Sequence, residues 1–277
     1  MSDAAIRREF FGTDLRRQLL SLLHPRSVRA TIRLGMMVGW TTMVLVVLVA
    51  GMWATTPWPR RRLQWRNGVA KRWALGICRI IGLNLRVEGT PPPAPFFLVA
   101  NHLSYVDIVV LLSSLDGVFV AKGEVDRWPV VGYLTRLAGT IFVERRNHRD
   151  AMRTLDAIEA RIAAGDGVMA FPEGTSSEGA EVLALKPALF EWAARTRFPV
   201  HCVTLGYETP AGAPPARTAV CWWGDMAFVP HLIGLVGLPW FRATIRFAPE
   251  AITGDDRTAL AAQAREVIAS RLASHAP

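Results

Sequence analysis

Cysteine is scarce in this chain and follows no pattern. Three residues out of 277, Cys78, Cys202 and Cys221, share no metal-ligand spacing and suggest no disulfide framework. Each lies among apolar neighbours, as small buried hydrophobes do in a reducing compartment. Acidic residues are also outnumbered, 23 Asp and Glu against 32 Lys and Arg, leaving a formal charge of +9. Such an excess implies an anionic partner, either nucleic acid or an anionic membrane surface. No recognition-helix or RNA-binding motif is present, and the basic residues gather around one apolar stretch, which argues against nucleic acid. No internal repeat and no low-complexity tract occur, and no Gly-x-Ser-x-Gly elbow supplies a serine nucleophile.

What the chain does have is apolar surface. It is 51% hydrophobic with 10 Trp, a residue that favours the wet edge of a bilayer. Its length suits one sizeable domain plus an appendage. From Leu34 to Ala54, "LGMMVGWTTMVLVVLVAGMWA" carries no charge; about 21 helical residues reach about 30 Å, the thickness of a bilayer core. A buried core helix and a signal peptide are the rivals. The signal peptide fits poorly, because a long segment precedes the run and no clean small-residue cleavage site follows it. Arg26, Arg29 and Arg33 flank one end, and Arg60, Arg61, Arg62 and Arg66 the other, so charge does not decide the orientation. The next stretch places Leu63, Val69, Trp73, Ile77, Ile80 and Ile81 at helical spacing, with Arg62, Arg66, Lys71, Arg72 and Arg79 on other turns. That pattern fits a basic amphipathic helix on anionic headgroups, or one face of a core-packing helix.

The expected organisation is a basic arm over 1–33, a membrane-anchoring helical hairpin over 34–84, and a catalytic domain over 85–277. A turn-rich "EGTPPPAPF" separates anchor from domain. Beyond it, β-type runs are expected at Phe96–Ala100, Val118–Ala121, Thr140–Val143, Gly167–Phe171, Val200–Leu205, Ala219–Trp223 and Ala243–Phe247. Helices are expected at Ser104–Leu115, Pro187–Arg195 and Asp256–Ala273, and where Met152, Leu155, Ile158 and Ile162 form a stripe stopped by Gly165. This alternation predicts an α/β fold, a mixed sheet flanked by helices, behind an N-terminal hydrophobic helical membrane anchor.

Three constellations carry chemistry. In "FLVANHLSYVDIVVLL" an apolar strand breaks at Asn101-His102 and a helix follows, which brings Asp107 within reach of His102. A carboxylate on one imidazole nitrogen fixes the tautomer and leaves the other nitrogen to accept a proton. With no protein nucleophile nearby, that proton would come from a substrate hydroxyl. Taken alone, the same spacing also fits a turn in which Asn101 or Ser104 caps the helix. The second is "FPEGTSSEG", where Gly174 lets backbone amides approach an anion and Thr175 and the serines add donors; a polar loop with a turn glycine is the alternative. The third, "GTIFVERRN", ends a strand on Arg145 and Arg146, suited to clamp a phosphate or carboxylate, or else to lie in solvent.

The series His-x4-Asp at 102–107, then "GTIFVER", then "FPEGT", then "FPVHCVTLGY" resembles the glycerolphosphate acyltransferase family over residues 101–205. The resemblance implies an enzyme that moves an acyl chain from acyl-CoA or acyl-carrier protein to the hydroxyl of a lysolipid, of the 1-acylglycerol-3-phosphate type. It implies His102 as general base and Asp107 as the residue orienting it. Arg145, Glu173, Gly174 and Thr175 would hold the acceptor's headgroup, within a loop shaped by Phe171 and Pro172. Lys122 is a further candidate for headgroup or phosphopantetheine contact, and Pro199 and Val200 would line the acyl side. Neither a metal nor a cofactor is implied, and the partners are the bilayer, the lysolipid and the thioester donor. The location implied is the inner membrane, with the catalytic domain on the cytoplasmic face.

Two positions depart from the family pattern. Glu144 stands where Asp is common, and Ser176 where an arginine usually grips phosphate. The variant "EGTSSEG" looks more like the branch acylating lyso-ornithine lipid, although Arg145 and Arg146 also fit a phosphate. From other classes, a catalytically inactive membrane tether would explain anchor and charge but not the motif series, and a lipid hydrolase would use the same base on water.

Overall fold

Strands β1 (Leu83–Glu88), β2 (Phe97–Ala100), β3 (Gly117–Lys122), β4 (Ile141–Val143), β5 (Gly167–Ala170), β6 (Val200–Glu208) and β7 (Phe241–Phe247) form one sheet in the order β1-β7-β6-β2-β5-β3-β4. The sheet is seen in a computed structural model that describes residues 25–129, 131–143 and 148–273. Strands β2 to β6 run parallel, while β7 is antiparallel to β6 and parallel to β1, so the sheet is mixed. Both β2 and β5 are apolar and buried at every residue, as parallel strands covered on both faces must be. Side-chain alternation divides them between two cores. Leu98, Ala100, Met169, Val203 and Leu205 face one layer, and Phe97, Val99, Val168, Val200 and Cys202 the other.

The helices are α1 (Pro25–Ala54), α2 (Pro59–Ile81), α3 (Val106–Ser114), α4 (Gly123–Asp126), α5 (Val131–Leu137), α6 (His148–Ala163), α7 (Glu191–Thr196), α8 (Ala216–Ala219), α9 (Phe228–Val236) and α10 (Arg257–Ala273). Helices α2, α3 and α9 cover the first face; α6, α7 and α10 cover the second. The Ile158–Ile162 stripe of α6 is buried as its spacing predicts, and Gly165, at φ 84°, ends that segment. All three cysteines are free and buried.

Among the described residues α1 is the one helix long and apolar enough to cross a bilayer, by length and composition. Most of it is not covered by protein: Ile32, Met36, Val38, Met43, Val46 and Trp53 are exposed. It pairs with α2 through tryptophans laid over glycines. A side chain at Gly76 would collide with the Trp40 ring, and one at Gly51 with the Trp65 ring. Trp40 also donates to the Trp73 carbonyl at 3.0 Å, and Trp73 to Thr41 Oγ1 at 3.0 Å. The base of α1 is fastened to the globular part. Arg29 and Arg33 donate to the carbonyls of Val236, Gly237 and Leu238 at 2.6–3.0 Å, the free acceptors at the end of α9.

Several sequence expectations change here. Helix α1 starts at Pro25, inside the stretch read as an arm. Helix α2 is half core: Val69, Ala74, Ile77, Cys78 and Ile81 are buried, and Arg66 is not a headgroup contact but a buried ion-pair partner of Asp166. The linker "EGTPPPAPF" lies within the domain, because β1 precedes it and is already in the sheet. Gly82 makes that junction abrupt; at φ 74° it caps α2, and its bare Cα admits Arg33 Nη2 and the Pro239 carbonyl. No strand forms at Ala219–Trp223. Pro215 instead opens the turn α8, and Val220 and Cys221 bond back to Ala216 at 2.9 Å and are buried as loop.

Candidate active site

The parallel strands deliver the site at their carboxyl ends, where ligands meet open α/β sheets. Asn101 follows β2 and is fully buried. Its side chain imitates a strand neighbour, donating from Nδ2 to the Leu205 carbonyl at 3.0 Å and accepting the Leu205 N–H at 2.8 Å on Oδ1. It caps no helix; it locks the end of β2 to β6. Losing it would strand two buried backbone groups at about 1–3 kcal/mol each.

His102 is then held from every side but one. Its N–H donates to Glu173 Oε1 at 3.1 Å, and its carbonyl accepts the Ser177 N–H at 2.9 Å. Its ring stacks on Phe171 with centroids 4.2 Å apart, and Phe171 stacks in turn on Phe119. Its Nδ1 meets Asp107 Oδ2 at 2.7 Å. The other ring nitrogen, Nε2, has no hydrogen-bond partner among the described residues, and the side chain is 22% exposed. That is the open side.

Asp107 lies in the first turn of α3 and is fully buried. Besides the imidazole, Oδ2 accepts the N–H groups of Leu103 at 2.7 Å and Ser104 at 2.9 Å, and Oδ1 accepts the Tyr207 hydroxyl at 2.6 Å. A carboxylate is acceptor-only, and every one of these partners is a donor. The imidazole therefore carries its hydrogen on Nδ1 and presents Nε2 as a base.

Glu173 closes the near side. Burial pushes its carboxyl up to about 7, against the His102 N–H bond, which favours the charged form. The loop holding it is tied at each step. Gly174 donates to the Phe171 carbonyl at 3.0 Å, and Lys186 N–H to the Pro172 carbonyl at 2.9 Å. At φ 69° Gly174 accepts no ordinary side chain, and a Cβ there would collide with Lys186 Nζ. Ser176 Oγ donates to the Trp222 carbonyl, and the Trp222 N–H donates to the Leu103 carbonyl at 2.8 Å. An aromatic wall of Tyr105, Trp222 and Phe228 stands beside the pair. Its histidine, His231, has both nitrogens engaged: Nε2 with the Cys221 carbonyl and Nδ1 with the Tyr105 hydroxyl, both at 3.0 Å. Burial lowers His231, favouring the neutral ring, so it is a structural histidine where His102 is not.

Of the residues predicted from sequence, His102, Asp107, Glu173 and Gly174 come together. Thr175 follows them on the same loop and is exposed. Lys122 is exposed at the end of β3, two strands over from β2, and joins none of these contacts. Arg145 lies outside the described residues, as do Glu144 and Arg146. Val200 does not line the site; it pairs with Phe97 at the amino end of the sheet and is fully buried in the second core. Sequence reading missed Tyr207 and the Tyr105–His231 pair. For Tyr207 a signal existed, since alternation along β6 puts Val203, Leu205 and Tyr207 on the face beneath α3. Tyr105 and His231 are 126 residues apart, and no local pattern links them.

A family model described as acyltransferase matches residues 84–206. A lyso-ornithine lipid O-acyltransferase from Rhizobium meliloti is 36% identical over 215 residues, 73% of this chain and 71% of that protein. The chain belongs to the acyltransferase family. A second relative of the same name, from Brucella abortus, is 34% identical over 81% of this chain and 91% of its own length. A 1-acyl-sn-glycerol-3-phosphate acyltransferase from Neisseria meningitidis serogroup B is 29% identical over 76% of this chain and 83% of its own. The fold matches the crystal structure of the 1-acyl-sn-glycerophosphate acyltransferase PlsC from Thermotoga maritima, with a TM-score of 0.63 and 20% identity over 90% of this chain and 97% of that one. This acyltransferase thus carries its motif series on the fold those motifs implied, a mixed sheet flanked by helices.

Proposed function

We propose that this acyltransferase O-acylates a lysolipid, with lyso-ornithine lipid as the acceptor. The observation that carries the reaction is the His102–Asp107 pair, with Nδ1 tied and Nε2 open at the carboxyl end of the sheet. Nε2 takes the proton of the lipid hydroxyl as its oxygen attacks the thioester carbonyl of acyl-CoA or acyl-carrier protein. The tetrahedral intermediate collapses, the C–S bond breaks, and the imidazolium returns the proton to the departing thiolate. Asp107 stabilises the imidazolium between these steps, and no acyl-enzyme forms. Glu173, Gly174 and Thr175 border the acceptor side, with Arg145 and Lys122 as further candidates there.

The acceptor rests on Ser176. Where the family usually places a phosphate-gripping arginine, this chain has a hydroxyl already bonded to the Trp222 carbonyl. A headgroup without phosphate suits that site, and two relatives are named for lyso-ornithine lipid. The exposed apolar surface of α1, the charge of +9 and a lipid acceptor together support the inner membrane as the location. A soluble thioester donor supports the cytoplasmic face.

The test is an acceptor panel with purified protein and radiolabelled acyl thioester. Diacylated product from lyso-ornithine lipid, well above that from lysophosphatidic acid, is the expected result. Product from lysophosphatidic acid alone would reassign the acceptor; thioester loss without new lipid would indicate hydrolysis, and complete inertness a tether.

A further inference from the structure

Asp107 Oδ2 is occupied by the imidazole and two backbone N–H groups, and each of those donors lies within the segment Asn101–Asp107. Oδ1 has one donor among the described residues, and it comes from strand β6 beneath α3: the hydroxyl of Tyr207, at 2.6 Å. We infer that Tyr207 is a positioning residue of the acyl-transfer site, holding the Asp107 carboxylate from β6 so that Oδ2 stays in line with His102 Nδ1. The inference rests on the acyl-transfer reading of His102.

The geometry supports more than a packing role. Tyr207 sits two residues past Leu205, to which Asn101 clamps the end of β2, so one strand fixes both ends of the His102 turn. Its ring lies 6.4 Å from that of Phe241 on β7, which confines its swing. Burial and the adjoining Asp107 charge push the phenol well above its ordinary value, so it remains a donor wherever the enzyme works. Other titratable groups face the same cluster. They are Glu173 from the loop after β5, Cys221 and Glu178 from the loops beyond, and Cys78 from α2. Burial pushes Cys221 up to about 12, so it brings no charge near neutrality. Glu173, at about 7, overlaps a working range.

A hydroxyl on Oδ1 disperses the carboxylate charge. Without it, more charge faces the imidazole, the imidazolium is stabilised, and His102 gives up its proton less readily. Tyr207→Phe in the full chain, in detergent, should lower kcat about 10- to 100-fold while KM for donor and acceptor stays within about twofold. The acid limb of its kcat/KM profile should move up by about half a pH unit. Replacing Tyr207 by 3-fluorotyrosine keeps the ring and strengthens the donor, so that limb should move down. An unchanged kcat, or a loss of kcat with the acid limb unmoved in both variants, would overturn the inference. A titration of the His102 imidazole followed by 15N NMR needs no acceptor, and its midpoint should rise in the Phe variant. A wild-type enzyme inert toward every lysolipid would defeat the acyl-transfer reading, while the imidazole titration would still report whether Tyr207 acts on His102 through Asp107. An unmoved midpoint would defeat the role of Tyr207.

Discussion

Two aspartates are fully buried at opposite ends of the parallel strands of the sheet, and their surroundings differ. Asp166 enters β5 at the amino end. Its Oδ1 accepts from Asn67 Nδ2 at 2.9 Å and its Oδ2 pairs with Arg66, which also holds Asn67 Oδ1 at 2.8 Å. Arg161 lies alongside, its guanidinium lowered by burial and by the neighbouring Arg66, and donates to the Gly139 carbonyl at 2.9 Å. This cluster is closed, and it bolts α2 to the base of the sheet. Asp107, at the carboxyl end, has four donors where Asp166 has these two, and one of the four is an imidazole whose far nitrogen is open. A buried charge whose every partner is itself satisfied serves attachment. One whose partner keeps a free, partly exposed nitrogen can serve chemistry.

The largest way to break this contrast is His102→Ala. It removes the open nitrogen and should lower acyl transfer about a thousand-fold. Circular dichroism and the partition into membranes should be unchanged, because Asn101 and the Ser177 bond to the His102 carbonyl do not need the imidazole. Residual transfer within tenfold of wild type would take His102 out of the mechanism.

Asp166→Ala tests the closed cluster and should do the opposite. It leaves Arg66 buried without its counter-charge, a change that costs about 3–5 kcal/mol. In a domain of this size the melting temperature should drop by roughly 10 °C. The protein that remains folded should keep kcat and KM within about twofold of wild type, since the cluster lies at the far end of the sheet. A selective loss of kcat in the folded fraction would show that the two ends are coupled.

The contrast also explains which parts of the molecule were legible in sequence. The sheet was, because β2 and β5 are short continuous apolar runs, and the α6 stripe has helical period. The His102–Asp107 pair was, because its five-residue spacing spans one strand end and one helical turn, both local. Arg66 was misread because its sequence neighbours are basic; its partner Asp166 is 100 residues away, and no local pattern shows a buried ion pair. β1 was missed for a related reason. At the sheet edge Leu83 alone of β1 is buried, so its alternation is faint and the prolines after it dominate. Tyr207 lies between these cases: its face was readable, its partner was not.

The smallest effect separates the two ends by pH. Glu173 is buried against the His102 turn, and its carboxyl stands at about 7 against an ordinary 4.5. The folded state therefore binds a proton that the unfolded state has released. The stability this gives is fully present below the unfolded value and is lost as pH rises through the folded one. Between about pH 5 and pH 8 the wild type should lose about 2 kcal/mol from this group. Glu173→Gln keeps the acceptor for the His102 N–H but cannot ionise, so its melting temperature should hardly move over that range. Asp166→Ala should start lower and keep the wild-type slope, because the closed cluster leaves Glu173 untouched. Thermal melts of the three proteins across that range would show it. If wild type and Glu173→Gln melt in parallel, the charge that Glu173 gains is compensated within the loop, and the carboxyl end of the sheet tolerates an anion beside the dyad.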